Sequence, residues 1–111
     1  MKNLLIVEDV AEAREWLIGV ARDAFPQASV STARTIAEAM AKVNEQVWDM
    51  ALIDLGLPDG SGLDVIRRIR QDAPETICVV TTVLGEDAHI VAALSAGAQG
   101  YLLKGQPSAL I

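Results

Sequence analysis

The segment that decides the fold runs from Met50 to Gly62 and reads MALIDLGLPDGSG. Four apolar residues lead directly into the carboxylate of Asp54, and a loop rich in glycine and proline follows. An apolar run bounded by turn residues is typical of a strand that is buried on both faces. Asp54 is therefore expected where the core ends and a loop begins, a position that holds a reactive group rigidly and leaves it open to a substrate.

The composition predicts one folded domain. A chain of 111 residues with 51% hydrophobic and 22% charged residues is ordinary for a protein that buries a real core. The net charge of -6 argues against nucleic-acid binding by this segment itself, because phosphate binding depends on clustered lysine and arginine. That argument does not extend to a basic domain elsewhere in a longer parent chain. The apolar stretch at the N-terminus is too short for a signal peptide or a membrane span, so a cytoplasmic location is expected.

Strands and helices are predicted to alternate along the chain. Five short apolar runs predict strands, at residues 4–7, 28–31, 47–53, 77–80 and 100–103. Apolar residues at helical spacing and capping signatures predict four helices, over residues 10–24, from the capping box 35–38, from the capping signature 61–64, and over residues 86–95. The short connections imply parallel crossovers, and hence an α/β fold with helices on both faces of a five-stranded sheet. Pro107 looks like the first turn of a fifth helix, so we expect a single domain over residues 1–111 that is truncated at the start of its last helix.

Polar residues follow or end four of the predicted strands. Glu8 and Asp9 follow the first strand, Asp54 follows the third, Thr81 and Thr82 end the fourth, and Lys104 follows the fifth. Because the carboxyl ends of parallel strands share one edge of the sheet, where α/β proteins bind ligands, these residues form one predicted site. If the first and third strands are neighbours, three carboxylates meet there, and two unit charges at about 4 Å repel by roughly 4 kcal/mol at an effective dielectric of about 20. The cluster therefore needs cations: the lysine supplies one, and an oxygen-only ligand set suits Mg²⁺.

These parts predict phosphoryl transfer to Asp54. A carboxylate can attack phosphorus to form an acyl phosphate, while Mg²⁺ and Lys104 neutralise charge on the phosphoryl oxygens. No general base is required, because aspartate is already ionised at neutral pH. A phosphatase with an aspartyl nucleophile is an alternative, but it would need a second carboxylate two residues later as general acid, and Gly56 stands there.

The set of polar residues resembles the receiver domain of two-component response regulators, and the resemblance covers nearly the whole chain. It rests on Glu8 and Asp9, on Asp54 with Pro58 and Gly62 downstream, on Thr82, and on the ending GAQGYLLK at residues 97–104. The resemblance implies a flavodoxin-like sheet with the strand order 2-1-3-4-5. The last residues, Tyr101 to Gly105, most resemble receivers that precede LuxR-type DNA-binding domains.

The resemblance implies a role for each site residue. Asp54 would accept a phosphoryl group from a sensor histidine kinase or from a small donor such as acetyl phosphate. Mg²⁺, with Mn²⁺ as an alternative, would be bound by Asp9 directly and by Glu8 through water, with Asp54 and the backbone carbonyl of Gly56 as the other protein ligands. Lys104 would complete the site as the charge partner of the phosphoryl group.

The implied output is a signalling switch rather than an enzyme, although such a domain assists its own phosphorylation and dephosphorylation. Thr82 would be the switch hydroxyl, and Tyr101 the aromatic side chain that turns inward when Thr82 moves towards the phosphoryl group. The altered surface of the fourth helix and fifth strand would then control an output, expected to be transcription. DNA would be contacted only through an output domain absent from this sequence, and no membrane partner is expected.

The sequence departs from the usual receiver pattern at several positions. Glu8 replaces the more frequent aspartate, and Gly105 stands where many receivers have proline. Gly56 and Leu84 have no polar side chains that could orient an attacking water, which predicts slow loss of the phosphoryl group. Two further expectations remain open: a degenerate receiver that acts only as a protein-interaction module, and a homodimer formed through the face that a missing fifth helix would leave uncovered.

Overall fold

The computed structural model describes residues 1–82 and 87–104, which form a five-stranded sheet and four helices. The elements, in chain order, are β1 (Asn3–Val7), α1 (Ala11–Ala24), β2 (Ser29–Ala33), α2 (Ile36–Glu45), β3 (Met50–Asp54), α3 (Gly62–Asp72), β4 (Ile77–Thr82), α4 (Asp87–Ala96) and β5 (Gly100–Leu103). A two-residue antiparallel pairing, Gly56–Leu57 with Gly60–Ser61, forms a small hairpin between β3 and α3. The predictions for Leu84, Gly105 and a helix from Pro107 concern residues outside the described ranges.

The sheet has the order β2-β1-β3-β4-β5, and all its pairings are parallel. This confirms the predicted flavodoxin-like fold. Alternate residues of β1 and β3 point to opposite faces, as the period of a strand requires. Leu5 and Ile53 pack on the face that α2, α3 and α4 cover, whereas Ile6 and Leu52 pack on the face that α1 covers. Burial on both faces explains why these strands are continuous apolar runs.

Two strand boundaries differ from the predictions. β2 runs from Ser29 to Ala33, whereas the predicted range was 28–31. Thr32 and Ala33 belong to the strand because they still pair with β1. The strand lies at the edge of the sheet and contains polar residues, so its end is not marked by an apolar run. β3 begins at Met50 rather than at Val47, which is 67% exposed. The apolar Trp48 is buried for a different reason: its indole nitrogen donates to the carbonyl of Lys42 in the last turn of α2.

The two helices with predicted ends, α1 and α4, end within one residue of the prediction. Thr35 caps α2 by accepting from the backbone nitrogen of Glu38 at 3.1 Å. The reciprocal half of the predicted capping box is absent from the described contacts, since the Glu38 carboxylate accepts from the backbone nitrogen of Arg34 instead. Gly97 ends α4 with a φ of 117°, which favours glycine. Among the helices of residues 1–82 and 87–104, none has the length and apolar character of a membrane span.

Candidate functional site

Three carboxylates meet at the carboxyl edge of the sheet, as the sequence predicts. Glu8 and Asp9 follow β1, and Asp54 is the last residue of β3, the neighbouring strand. One carboxylate oxygen from each residue lies within 4.8 Å of the other two. Glu8 is fully buried. Its backbone continues the line of β1, and its backbone nitrogen donates to the carbonyl of Ala33 in β2. Asp9 and Asp54 are partly exposed and border the solvent.

Lys104 joins this cluster from the end of β5. Its Nζ lies 2.8 Å from Oε1 of Glu8 and 2.9 Å from Oδ1 of Asp54. The contact with Asp54 is a directed hydrogen bond, whereas Glu8 Oε1 has an ion pair and no hydrogen bond of good geometry within the described part of the chain. The side chains of the lysine and of Asp54 are only 18% and 14% exposed, so solvent screens these contacts weakly.

Burial and charge oppose each other in this cluster. Removal from water raises the pKa of the Glu8 carboxyl above its usual value, and the contacts with Lys104 and with the backbone nitrogen of Val10 offset this only in part. Burial by itself lowers the pKa of the Lys104 ammonium, but the two carboxylates beside it more than compensate and raise that pKa. The lysine therefore stays charged at neutral pH, and the buried Glu8 depends on it as its neighbouring cation.

The two threonines at the end of β4 lie in different environments. Thr81 pairs in register with Asp54, and its Oγ1 is buried without a partner in the described ranges. Thr82 is 3% exposed, and its carbonyl oxygen accepts from the backbone nitrogen of Lys104 at 2.7 Å. Alternation along the strand places Thr82 on the same face as Val80, which pairs with Tyr101. Tyr101 is partly buried against the core on that face. The structure thus places the two predicted switch residues on one side of the sheet.

Arg14 is a site neighbour that the sequence analysis did not identify. From the first turns of α1, its Nη1 donates to the carbonyl oxygens of Glu8 and Asp9, at 3.1 and 3.3 Å. The guanidinium therefore holds the backbone of the acidic pair against the helix that follows it. Arg14 stands six residues after Glu8 and five after Asp9. This spacing is the only sequence signal for the contact, and a charged residue at such a position is ordinary for an amphipathic helix.

The loop between β3 and α3 is held at several points. Gly62 donates its backbone nitrogen to the carbonyl of Leu55 at 2.9 Å, and a Cβ on Gly62 would overlap the carbonyl oxygen of Asp54. Asp59, at the tip of the hairpin, accepts from the backbone nitrogens of Ile36 and Ala37, at 2.8 and 3.1 Å. Asp59 therefore caps α2 rather than α3, the helix that follows it in the sequence.

The donor set fits a hard divalent cation. Three carboxylates lie close together, and the ion pairs described for them are both made by Lys104, so the cluster carries excess negative charge. Mg²⁺ is bound in proteins by a few carboxylates together with water and phosphate oxygens. Glu8, Asp9 and Asp54 would supply the carboxylates, and Gly56, which is exposed on the hairpin, would supply a backbone carbonyl.

Comparison with known proteins identifies relatives over nearly the whole chain. The family model "Response regulator receiver domain" matches residues 4–111. The DNA-binding transcriptional activator DevR/DosR of Mycobacterium tuberculosis is 33% identical over 105 residues, which cover 94% of this chain and 48% of that protein. The chain spans about half or less of the length of the first curated relatives that it matches.

Solved structures agree with the fold. A response regulator from Chloroflexus aurantiacus has a TM-score of 0.85 and 29% identity, with 96% of this chain and 88% of that chain covered. A response regulator from Burkholderia pseudomallei, solved with a phosphorylated aspartic acid, calcium ion and citrate, has a TM-score of 0.81 and 26% identity over 97% of this chain and 62% of that chain. The narrower LuxR-type prediction finds no support in the names of these relatives, and one similar structure is described as an OmpR/PhoB homologue.

Proposed function

Because the chain belongs to the response regulator receiver domain family, we propose that it is a phosphorylation-dependent switch of a two-component system and that Asp54 is its phosphoacceptor. One observation supports this proposal most strongly. Lys104 Nζ lies 2.9 Å from Asp54 at an edge where Glu8 and Asp9 complete a cluster of three carboxylates. A nucleophile, a fixed cation and a set of metal ligands are then within reach of one incoming phosphoryl group.

The proposed step forms one bond and breaks one bond. An oxygen of the ionised Asp54 carboxylate attacks phosphorus, and the bond from phosphorus to the donor breaks. The donor leaves with the electron pair, as acetate from acetyl phosphate or as the imidazole of a kinase histidine, which takes a proton from water. Bound Mg²⁺ would offset charge on the phosphoryl oxygens. Lys104 holds the carboxylate before the reaction and can then pair with a phosphoryl oxygen.

The switch is proposed to act through Thr82 and Tyr101. Phosphorylation adds a charge of about -1.5 to -2 to an already acidic edge, together with three acceptor oxygens. A hydroxyl donated by Thr82 would satisfy one of them and change the packing around Tyr101 on the face of α4 and β5. Such a local change can shift the equilibrium between two surfaces that a partner distinguishes.

The partners are proposed from the family and its named relatives. A sensor histidine kinase in the cytoplasm would supply the phosphoryl group. A transcriptional output is supported by relatives such as the activator DevR/DosR, of which this chain matches only a part. DNA contact would then require a separate output domain. The LuxR-type subfamily and a homodimer stay predictions from the sequence alone.

The function is tested by incubating the chain with acetyl phosphate and Mg²⁺ and measuring its intact mass. We expect one phosphoryl adduct, which is lost in Asp54→Asn and when the metal is chelated. Asp64→Asn is the matched control, because Asp64 is an exposed carboxylate that pairs with Arg67 on α3, and this variant should react normally. Turnover of acetyl phosphate without an adduct would indicate a phosphatase, and neither adduct nor turnover would indicate an interaction module.

The phosphoryl group is expected to persist once formed. Gly56, two residues after Asp54, has no side chain that could orient an attacking water, and no atom lies within 4 Å of the place where its Cβ would be. An introduced side chain therefore has room, and Gly56→Asn should accelerate hydrolysis by presenting an amide towards the site. The decay of the adduct after removal of the donor measures this. A half-life of seconds or less in the unmodified chain would contradict the expectation.

A further inference from the structure

The hairpin that carries Gly56 is attached to α2 through its tip. Asp59 uses both carboxylate oxygens, one for the backbone nitrogen of Ile36 and one for that of Ala37, at 2.8 and 3.1 Å. These two donors belong to the first turn of α2, where backbone N–H groups have no acceptor within the helix. Donation from Ile36, and to a smaller extent from Ala37, lowers the pKa of Asp59, so the carboxylate is ionised at neutral pH.

An apolar contact reinforces this attachment. Gly60 follows Asp59 with a φ of 145°, a backbone conformation that side chains rarely adopt. A Cβ at Gly60 would lie 2.9 Å from the Cδ1 atom of Ile36, so the hairpin backbone packs directly against the start of α2. Leu57 is 8% exposed and anchors the other side of the hairpin in the core.

The hairpin connects its tip to the acidic cluster through both of its arms. Gly56 pairs with Ser61 and Leu57 with Gly60, so the two arms are joined to each other. The first arm begins two residues after Asp54, and the second ends where Gly62 packs on the backbone of Asp54. The carbonyl of Gly56 is therefore placed from both sides, by the end of β3 and by the contact of the tip with α2.

We propose that Asp59 is a positioning residue for the metal site: by holding the hairpin against α2, it fixes the Gly56 carbonyl and so increases the affinity for Mg²⁺. This inference rests on the proposed function, because it takes the acidic cluster as the metal site and the Gly56 carbonyl as one of its ligands. Groups that orient metal ligands from outside the coordination shell commonly change metal affinity by about 10- to 100-fold. Because Asp59 acts through one backbone ligand, an effect at the lower end is expected.

The test compares Mg²⁺ dissociation constants by calorimetry in variants that separate three effects. Asp59→Ala should weaken Mg²⁺ binding by about tenfold, and Asp59→Asn, which keeps an acceptor oxygen, should recover part of the loss. Thr35→Ala removes the other cap of the same helix, in which the Thr35 hydroxyl accepts from the backbone nitrogen of Glu38. This variant should leave the Mg²⁺ affinity unchanged. Asp64→Asn removes an exposed negative charge from the neighbouring helix and controls for net charge.

The outcomes distinguish this inference from the proposed function. Equal Mg²⁺ affinities in Asp59→Ala and Thr35→Ala, or an unchanged affinity in Asp59→Ala, would overturn the inference and leave the metal site intact. An absence of Mg²⁺ binding in the unmodified chain would overturn the metal site itself.

A second readout uses the reciprocity of coupled equilibria. If Asp59 links the metal site to α2, Mg²⁺ must also stabilise the start of α2 by the same coupling free energy. Hydrogen exchange at the amides of Ile36 and Ala37 should therefore slow when Mg²⁺ is added, in the unmodified chain and in Thr35→Ala. The same slowing in Asp59→Ala would contradict the proposed link.

Discussion

Replacing Lys104 with methionine is expected to lower the free energy of unfolding of the metal-free protein by about 3 kcal/mol, the lower end of the cost of breaking a buried ion pair by removing one partner. The lysine Nζ contacts both Glu8 and Asp54, and Glu8 is fully buried. Methionine fills a similar volume but leaves the two carboxylates without their shared cation. Urea denaturation followed by the fluorescence of Trp16 and Trp48 measures the loss.

The loss in this variant should depend on pH in a defined direction. Burial raises the pKa of Glu8 in the folded protein, and removal of the lysine removes a contact that lowers it. The folded state of the variant therefore binds a proton more readily than its unfolded state, so its stability rises as the pH falls through the raised pKa towards the unfolded value. The difference from the unmodified protein should shrink as the pH falls from neutral towards the ordinary titration range of a glutamate carboxyl, near about pH 4–5. Mg²⁺ should also stabilise the variant more than the unmodified protein.

Lys2→Met is the matched control for the lysine variant. Lys2 is exposed and precedes β1, at the edge of the sheet opposite the acidic cluster, and its replacement removes the same formal charge. This control should differ from the unmodified protein by less than about 0.5 kcal/mol, as surface substitutions usually do. A lysine variant as stable as the control, or a difference that grows at acid pH, would contradict the described charge balance.

Replacing Gly62 with alanine is expected to destabilise the protein by about 3 kcal/mol, the upper part of the range for side chains inserted into packed sites. The added Cβ would overlap the carbonyl oxygen of Asp54 and lie 2.9 Å from Cγ2 of Ile53. Asp54 cannot retreat freely, because it pairs with Thr81 in the sheet. The variant should therefore also lose most of its phosphoryl uptake in the acetyl phosphate assay, even under conditions where it is folded.

Gly19→Ala provides the opposite outcome with the same chemical change. Gly19 is exposed in the middle of α1, and no atom lies within 4 Å of the point that its Cβ would occupy. Alanine there should stabilise the protein by about 0.5–1 kcal/mol, because glycine in a helix interior costs that much. Similar stabilities for the two alanine variants would contradict the close approach of α3 to the end of β3.

The strands and their polar ends could be predicted because each signal is local. A strand buried on both faces must be apolar throughout, and β1 and β3 are therefore visible as continuous runs. The strand order came from the family resemblance, since the pattern alone does not say which strands are neighbours. The start of β3 was predicted three residues too early, because Trp48 is buried by its contact with the end of α2 and not by strand pairing.

Contacts between distant elements account for what the sequence did not reveal. Asp59 accepts from backbone nitrogens 22 and 23 residues away, so its local sequence indicates a turn residue but not which helix it caps. Arg14 binds two carbonyl oxygens whose positions depend on how the chain enters α1. The acidic cluster itself was predictable, because the edge of a parallel sheet collects the residues that end each strand.

The most direct test of the account locates the phosphoryl group in the chain. An acyl phosphate, unlike a phosphate ester, is reduced by borohydride to an alcohol, which marks the modified carboxylate permanently. After reaction with acetyl phosphate and Mg²⁺, reduction and peptide mapping by mass spectrometry, homoserine should appear at residue 54 and at no other aspartate. An adduct that survives borohydride unchanged, or reduction at Asp9 or another carboxylate in place of Asp54, would contradict the central claim.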